Sequence, residues 1–323
     1  MIAIANPERM QMAERAIERV GVVGTGLIGS SWAAFFLARG LDVVATDPAP
    51  GAEARLRGDI AIAWPVLDRM GLAPGADPAR VRFMTSVEDC VAEADFVQEN
   101  GPEREEIKRD TYRRMDAVAP ADVILASSTS GFRPSMLQRG CRHPERILVG
   151  HPFNPPHLVP LVEIVGGEIT SEAAIDRATS FYKSLGKITI RVRKELLGHV
   201  ANRLQAALWR EAYHLVEIGA VTAAEVDAAI AHGPGLRWAL MGPMLLCHLA
   251  GGAGGLRHFL DHFGPLSEAL WAELGQTALT DGLKRKLIES VDAEIAPIDL
   301  AAALADRDRL LVDLIAAKTK TQL

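Results

Sequence analysis

A glycine-rich turn near the start of the chain constrains the fold more than any other feature. An apolar run around Val22 leads into GTGLIG at residues 24–29, which has the spacing GxGxxG, and a helical pattern follows. In such a unit the first glycine permits a tight turn, the second lets a pyrophosphate approach the backbone, and the third lets helix and strand pack closely. The free N–H groups of the helix N-terminus would face the phosphates. The predicted cofactor-binding residues of this turn are Gly24, Gly26, Leu27, Ile28 and Gly29.

An acidic residue follows at the distance expected for a ribose-binding carboxylate. The next apolar run ends in Asp47, about 20 residues beyond the glycine turn. A carboxylate here accepts hydrogen bonds from the ribose hydroxyls and repels a 2′-phosphate, and the following Pro48 and Ala49 supply no compensating arginine. The sequence therefore predicts NAD rather than NADP. A plain strand–turn–helix in which Asp47 only caps the turn is the alternative.

Alternating patterns in the first half predict a parallel sheet covered by helices. Several apolar runs are nearly continuous in Val, Ile and Leu, which is typical of strands buried on both faces. The predicted strands are 19–24, 41–47, 94–99, 122–127, 146–150, 161–165 and 187–192, and the predicted helices between them include 28–39, 53–70, 103–118 and 172–185. Beyond residue 195 only helical patterns follow, at 200–218, 222–233, 265–274, 280–291 and 300–317. We therefore expect an α/β Rossmann-type doubly wound domain over 1–194 and an all-helical domain over 195–323.

Composition excludes several function classes. The formal net charge is −6, and the longest basic run is the triplet at 284–286, so a nucleic-acid or anionic-membrane binder is not expected. The three cysteines lack CxxC spacing, which argues against a cysteine metal site and fits a reducing compartment. No apolar stretch is long enough to cross a bilayer. We expect a cytoplasmic protein that acts on a small molecule, without metal.

A histidine and a glutamate form the candidate catalytic pair. His151 ends one predicted strand in GHPFNPP, and Glu163 lies within the apolar run LVEIVGG. A carboxylate in such a run must be paired or neutralised, and a histidine is a natural partner. Alcohol oxidation requires a base for the hydroxyl proton, and a neighbouring carboxylate would orient the imidazole. A structural histidine and a solvent-facing glutamate are the alternatives that the spacing leaves open.

Six motifs in order give the chain a family resemblance. They are GVVGTGLIGSSWA, DFVQENGPEREEIKRD, SSTS, GHPFNPP, LVEIVGG and GHVANRLQ. Together they resemble the L-3-hydroxyacyl-CoA dehydrogenase superfamily. The resemblance implies a Rossmann domain, a helical dimerisation domain and a His–Glu dyad. It implies that His151 is the base and Glu163 its partner, that Ser130 binds the substrate oxygen, that Asn202 helps to hold substrate and dyad, and that Glu99 and Lys108 lie near the nicotinamide.

For the residues assigned by resemblance, simpler roles are also open. Ser130 could cap a turn, Asn202 could be an ordinary helix surface residue, and Lys108 could pair with Glu105 or Glu106 on an exposed helix.

A homodimer is expected because the helical patterns after residue 200 offer more apolar surface than one small domain buries.

The second half also resembles one branch of the superfamily. The segments GPGLRWALMGP and LAGGAGGLRHF are similar to the L-carnitine 3-dehydrogenase branch, which implies oxidation of the 3-hydroxyl of L-carnitine. Another L-3-hydroxy acid such as L-gulonate, an L-3-hydroxyacyl-CoA, and a non-catalytic, crystallin-like NAD-binding protein are the alternatives. A trimethylammonium group would need aromatic faces, for which Trp238 and Phe153 are the leading candidates, with Trp209 and Phe259 behind them. Ordinary packing is the alternative for each ring.

Overall fold

The computed structural model describes residues 16–321, and two compact units divide the chain. The first unit ends at Arg203 and the second begins at Leu204, inside one long helix. The boundary after residue 194 stays a prediction, and the outer ends of both predicted domains, residues 1–15 and 322–323, lie outside the described part.

Within the first unit, the described residues form an eight-stranded sheet with the order β3-β2-β1-β4-β5-β6-β7-β8. All neighbouring strands are parallel except β6 and β7, which form an antiparallel pair. The strands are β1 (Arg19–Val23), β2 (Asp42–Thr46), β3 (Val81–Met84), β4 (Phe96–Glu99), β5 (Ile124–Ser127), β6 (Ile147–Pro152), β7 (Leu161–Gly166) and β8 (Ile188–Val192).

Helices connect these strands. They are α1 (Leu27–Ala38), α2 (Ala52–Met70), α3 (Val87–Ala92), α4 (Glu105–Val118), α5 (Pro134–Leu137) and α6 (Glu172–Ser184), with short 3₁₀ turns at Pro78–Arg80 and Pro144–Arg146. The order of helices and strands confirms the predicted Rossmann-type α/β class.

Two apolar clusters hold the sheet between its helices. One contains an aromatic group in which Trp32 stacks on Phe36 at 5.0 Å and Phe96 contacts Phe181 at 4.4 Å between ring centroids. The other lies under α3 and α4 and includes Tyr112. Burial on both faces explains why the central strands are continuous apolar runs. The parallel pairing of β1 with β4 and of β4 with β5 places the carboxyl ends of these three strands beside one another.

Strand β3 was missed by the sequence analysis. It has only four residues, contains the exposed Arg82, and lies at the edge of the sheet. An edge strand with one solvated face lacks the continuous apolar run that identified the central strands. Its pairing with β2, from Val43↔Val81 to Thr46↔Met84, is set by the sheet rather than by a local pattern.

The second unit is helical in the part that the structure describes. Its helices are α7 (Ala201–Glu217, which begins in the first unit), α8 (Ala223–His232), α9 (Pro234–Trp238), α10 (Pro243–Ala250), α11 (Gly255–Glu273), α12 (Asp281–Ile295) and α13 (Leu300–Lys318). Thr222 and Glu225 form a capping box at the start of α8, and the Asp299 side chain caps α13. The expected helix start at Pro265 was wrong, because Pro265 lies inside α11, which begins ten residues earlier at Gly255. No helix among residues 16–321 is long and apolar enough to cross a membrane.

Candidate active site

The glycine turn has the geometry of a phosphate-binding loop. Gly24 adopts φ +88°, and a Cβ there would lie 2.8 Å from the backbone of Asn100. A Cβ on Gly29 would lie 1.9 Å from the carbonyl oxygen of Gly24, so helix and turn pack too closely for a side chain. A Cβ on Gly26, in contrast, would meet nothing within 4 Å. The open space at Gly26, beside the uncapped N-terminus of α1, fits the pyrophosphate of a dinucleotide.

Residues Leu27 and Ile28 form the first turn of α1. The Leu27 side chain is 70% exposed, and Ile28 is partly buried against the core. Both therefore contribute the backbone N–H groups of the helix N-terminus, as the motif predicts, and Leu27 leaves its side chain in solvent.

Asp47 joins the glycine turn to the end of β2. One oxygen of its carboxylate accepts a 2.8 Å hydrogen bond from the N–H of Thr25, and the other accepts one of 2.8 Å from Ala49. An ionised carboxylate has about four acceptor positions, so two remain for ribose hydroxyls. The capping role and the cofactor role are compatible at this residue.

Replacing Asp47 should therefore weaken and broaden cofactor binding. We expect Asp47→Ala to raise the dissociation constant for NAD roughly 5- to 20-fold and to reduce discrimination against NADP, because an acceptor and a repelling charge are both lost. Calorimetric titration with both cofactors measures this. Asp42→Ala is the matched control, because Asp42 begins the same strand and pairs with Arg80. Unchanged affinity for both cofactors in Asp47→Ala would restrict Asp47 to capping.

A buried ion pair lies at the carboxyl end of β4. Lys108 and Glu99 are each about 1% exposed, and Nζ lies 2.9 and 3.1 Å from the two carboxylate oxygens. Glu99 also accepts a 2.6 Å hydrogen bond from Ser127, and Lys108 contacts Glu103 at 3.1 Å. The alternative pairing of Lys108 with Glu105 or Glu106 on an exposed helix was wrong, because Lys108 is buried against Glu99 at the carboxyl end of β4.

The antiparallel pairing of β6 and β7 places His151 directly opposite Glu163. Their side chains are joined by a 2.8 Å bond between Nδ1 of the imidazole and Oε2 of the carboxylate. His151 is 6% exposed and Glu163 is fully buried, so the alternative of a solvent-facing glutamate was wrong, whereas the catalytic role of His151 stays a prediction. Because the carboxylate accepts, Nδ1 is the donor, and the lone pair of a neutral imidazole is on Nε2.

A second set of donors holds the other oxygen of Glu163. Oε1 accepts hydrogen bonds of 2.9 and 3.0 Å from the backbone N–H groups of Val200 and Ala201, where α7 begins. Burial raises the pKa of the Glu163 carboxyl, but the bond from His151 and these two N–H groups outweigh it and leave the pKa below its ordinary value. The buried carboxylate is therefore ionised at neutral pH, and its negative charge can stabilise a positive imidazolium on His151.

The remaining predicted residues fall in two places. Ser130 and Asn202, both partly buried, lie in the first unit, at the turn after β5 and in the first turn of α7. Phe153 meets the His151 ring edge-on at 5.2 Å between centroids. Trp238 ends α9 in the second unit and is 46% exposed.

Sequence reasoning missed two buried titratable side chains, Lys187 and His199, and the second of these lies beside His151. Lys187 has its Nζ on the carbonyls of Pro156 and Val159, in the loop that joins β6 to β7, and burial lowers its pKa to about 7. His199 is 1% exposed and its ring lies 5.1 Å from that of His151. His199 lies inside the motif GHVANRLQ, in which the family resemblance assigns a role to Asn202 alone.

Comparison with known proteins decides the family of this fold and site. Residues 19–196 match the profile of the 3-hydroxyacyl-CoA dehydrogenase NAD-binding domain, and residues 198–299 match the profile of the 3-hydroxyacyl-CoA dehydrogenase C-terminal domain. The chain belongs to the 3-hydroxyacyl-CoA dehydrogenase family. Its first domain is an NAD-binding domain, as the glycine turn predicts, and the protein is an NAD-dependent oxidoreductase of this family. Family membership confirms the resemblance stated from the motifs.

Individual relatives of this family cover nearly the whole chain. L-carnitine dehydrogenase of Streptomyces griseus is 50% identical over 94% of this chain and 91% of its own length. The enzyme of the same name from Pseudomonas aeruginosa is 48% identical over 95% of both chains. Among solved structures, a 5-formyl-3-hydroxy-2-methylpyridine 4-carboxylic acid 5-dehydrogenase, described as an NAD⁺-dependent dismutase, is 34% identical with a TM-score of 0.82. It covers 94% of this chain and 99% of that one.

Proposed function

We propose that this protein oxidises the 3-hydroxyl of L-carnitine to the 3-keto group of 3-dehydrocarnitine, with His151 as the base. The observation that carries the proposal is the buried hydrogen bond from His151 Nδ1 to Glu163. It leaves Nε2, near the carboxyl end of β6, as the proton acceptor. Bound NAD supplies the hydride acceptor for the hydrogen at C3. The hydroxyl proton passes to Nε2, and the electrons of the O–H bond form the carbonyl.

The surrounding residues support this division of roles. Glu163 stabilises the imidazolium that forms on His151, because its carboxylate is ionised and held by three donors. Ser130 binds the substrate oxygen, and Asn202 holds substrate beside the pair. Glu99 and Lys108 form a buried ion pair at the end of β4, on the side where the nicotinamide would bind.

The substrate is inferred from the relatives. Proteins named L-carnitine dehydrogenase from several bacterial genera are 47–50% identical over 93–95% of this chain. The match covers nearly the whole chain and so extends through the helical half, which contains the segments around Trp238 and Phe259 that resemble the carnitine branch.

The assay that tests this function follows the absorbance of NADH. Purified protein with NAD should form NADH from L-carnitine, with far lower kcat/KM for L-gulonate and for an L-3-hydroxyacyl-CoA. Greater activity with either alternative substrate would replace carnitine in the proposal. Tight NADH binding with no turnover on any of the three would identify a non-catalytic NAD-binding protein.

Trp238 is the proposed face for the trimethylammonium group. This cation has no N–H to donate, so an aromatic ring is a natural partner, and a desolvated contact of this kind is worth up to about 2 kcal/mol, or roughly 30-fold in affinity. Trp238→Leu should therefore raise KM for L-carnitine and leave KM for NAD unchanged. Trp271→Leu, at an exposed tryptophan of α11, is the matched control. Equal losses for carnitine and for an uncharged 3-hydroxy acid would show that Trp238 only packs.

We also propose a homodimer formed through the helical unit. Large apolar side chains stay exposed there in the single chain, among them Leu204, Trp209, Met244 and Leu266. Their burial against a second copy would remove apolar surface that a monomer leaves in water. Light scattering at micromolar concentration should give about twice the mass of one chain. A monomeric mass would contradict the proposal.

A further inference from the structure

His199 is packed against the proposed catalytic pair, but the proposed reaction assigns it no role. It lies between Gly198 and the first turn of α7, with 1% of its surface exposed and its ring 5.1 Å from the His151 ring. Its backbone adopts φ +50°, a left-handed conformation that residues other than glycine seldom take. A strained residue of this kind persists only where its surroundings over-determine it. The next two N–H groups, of Val200 and Ala201, are the ones that hold Glu163.

The hydrogen bonds of His199 define its protonation. Nε2 lies 3.0 Å from the carbonyl oxygen of Thr129. A carbonyl only accepts, so Nε2 carries a proton. Nδ1 is buried and finds no hydrogen-bond partner among residues 16–321, so a second proton there would be a donor without an acceptor.

The electrostatic surroundings act in the same direction. The ionisable groups that face His199 are His151 on β6, Glu163 on β7 and Glu103 before α4. Burial is the largest effect and lowers the pKa of His199. The hydrogen bond to Thr129 raises it, the neighbouring His151 lowers it, and the two carboxylates raise it less, so that the pKa stays below its ordinary value. At neutral pH the ring is therefore an uncharged imidazole with its proton on Nε2.

This imidazole links two turns that carry other proposed site residues. Thr129, its partner, precedes Ser130, and the carbonyl oxygen of Ser130 accepts a 3.1 Å hydrogen bond from the N–H of Gly198. Two bonds thus tie the turn after β5 to the turn before α7. The second of these turns presents Val200 and Ala201 to Glu163.

We propose that His199 is a positioning residue: a permanently neutral imidazole that clamps the Ser130 turn to the start of α7 and so fixes Glu163 against His151. Its neutrality also matters for the reaction, because a second positive charge at this distance would oppose the imidazolium on His151. The effect on turnover rests on the proposed function. The hydrogen bond and the protonation state do not, and they can be tested separately.

The protonation state is tested by nuclear magnetic resonance on the full chain with ¹⁵N-labelled histidine. His199→Phe identifies the resonances of the ring. We expect the His199 ring signals to stay those of the neutral Nε2–H tautomer from about pH 5 to 8, where an ordinary histidine titrates. A titration of this ring with its midpoint inside that range would overturn the proposal, whatever substrate the protein uses.

The positioning role is tested by two substitutions. His199→Leu removes the donor to Thr129, whereas His199→Asn keeps a side-chain N–H donor and tolerates the left-handed backbone. We expect His199→Leu to lower kcat roughly 10- to 100-fold with KM for substrate changed much less, and His199→Asn to recover most of the loss. The acid limb of the kcat/KM profile should move to lower pH in His199→Leu, because the imidazolium loses support from Glu163.

The control is His143→Leu, at an exposed histidine of the same unit that lies beside Glu145. NADH affinity, measured by fluorescence, should be unchanged in all three variants, because the glycine turn is untouched. An unaltered kcat and pH profile in His199→Leu would overturn the positioning role. Equal losses in the Leu and Asn variants would do the same, since the donor to Thr129 would then be irrelevant.

Discussion

His151→Gln should lower kcat by a factor of about 10³ or more, because general base catalysis of this kind contributes roughly 10²–10⁴-fold. The amide of glutamine can accept a hydrogen bond from the substrate, but it cannot take the hydroxyl proton at neutral pH. The glycine turn and Asp47 lie on β1, β2 and α1, away from the β6–β7 pair, so NADH binding should be retained. Steady-state turnover of L-carnitine and a fluorescence titration with NADH measure the two effects.

The matched control for this substitution is His143→Gln. His143 is half exposed and contacts Glu145 at 3.5 Å, so its loss tests whether removal of any histidine in this unit impairs the protein. Near-normal turnover in His151→Gln would mean that another group accepts the proton. Lost NADH affinity would mean that the substitution disturbs the fold and does not merely remove the base.

Glu163→Gln should lower kcat roughly 10²- to 10³-fold, through loss of the charge that stabilises the imidazolium. The amide also cannot satisfy all three donors that now meet the carboxylate, from His151, Val200 and Ala201. KM for the substrate should change less than kcat, because the interaction strengthens as the positive charge develops on His151. Turnover of both proteins as a function of pH checks this.

The same variant has a distinctive stability profile. The folded-state pKa of Glu163 lies below its ordinary value, so the ionised carboxylate stabilises the fold above the unfolded value of 4.5, and this contribution disappears as pH falls through the folded-state pKa. The wild type should therefore unfold at a higher temperature than Glu163→Gln at pH 7, and the difference should shrink in acid. Glu172→Gln, at a surface ion pair with Arg191, is the control. A difference independent of pH would exclude the charge as its cause.

The features that sequence reasoning predicted are those fixed by short, local patterns. Gly24, Gly26 and Gly29 identify the turn because only glycine fits there, and the structure shows contacts of 2.8 and 1.9 Å for an added Cβ at the first and third positions. Glu163 was predicted to need a partner because it interrupts an apolar run. The antiparallel register of β6 and β7 then supplies His151, which the sequence identified but could not place opposite it.

The features that were missed depend on contacts between distant segments. The family resemblance implied a position near the nicotinamide for Lys108, but the polar pattern of α4 did not show that the carboxylate that neutralises it comes from the end of β4. Lys187 is buried by loop carbonyls and by the rings of Trp32 and Phe35, which no local pattern links to it. His199 becomes important only through Thr129 and His151, which are 70 and 48 residues away along the chain.

Isotope transfer from carnitine to the cofactor tests the proposed hydride transfer from C3. L-Carnitine deuterated at C3 is incubated with the protein and NAD, and the reduced cofactor and the organic product are analysed by mass spectrometry. Hydride transfer assisted by His151 predicts deuterium in the NADH and 3-dehydrocarnitine as the product, and both should form at least about 10³-fold more slowly with His151→Gln. Unlabelled NADH would exclude hydride transfer from C3, and formation of labelled NADH by His151→Gln at the wild-type rate would exclude His151 as the base.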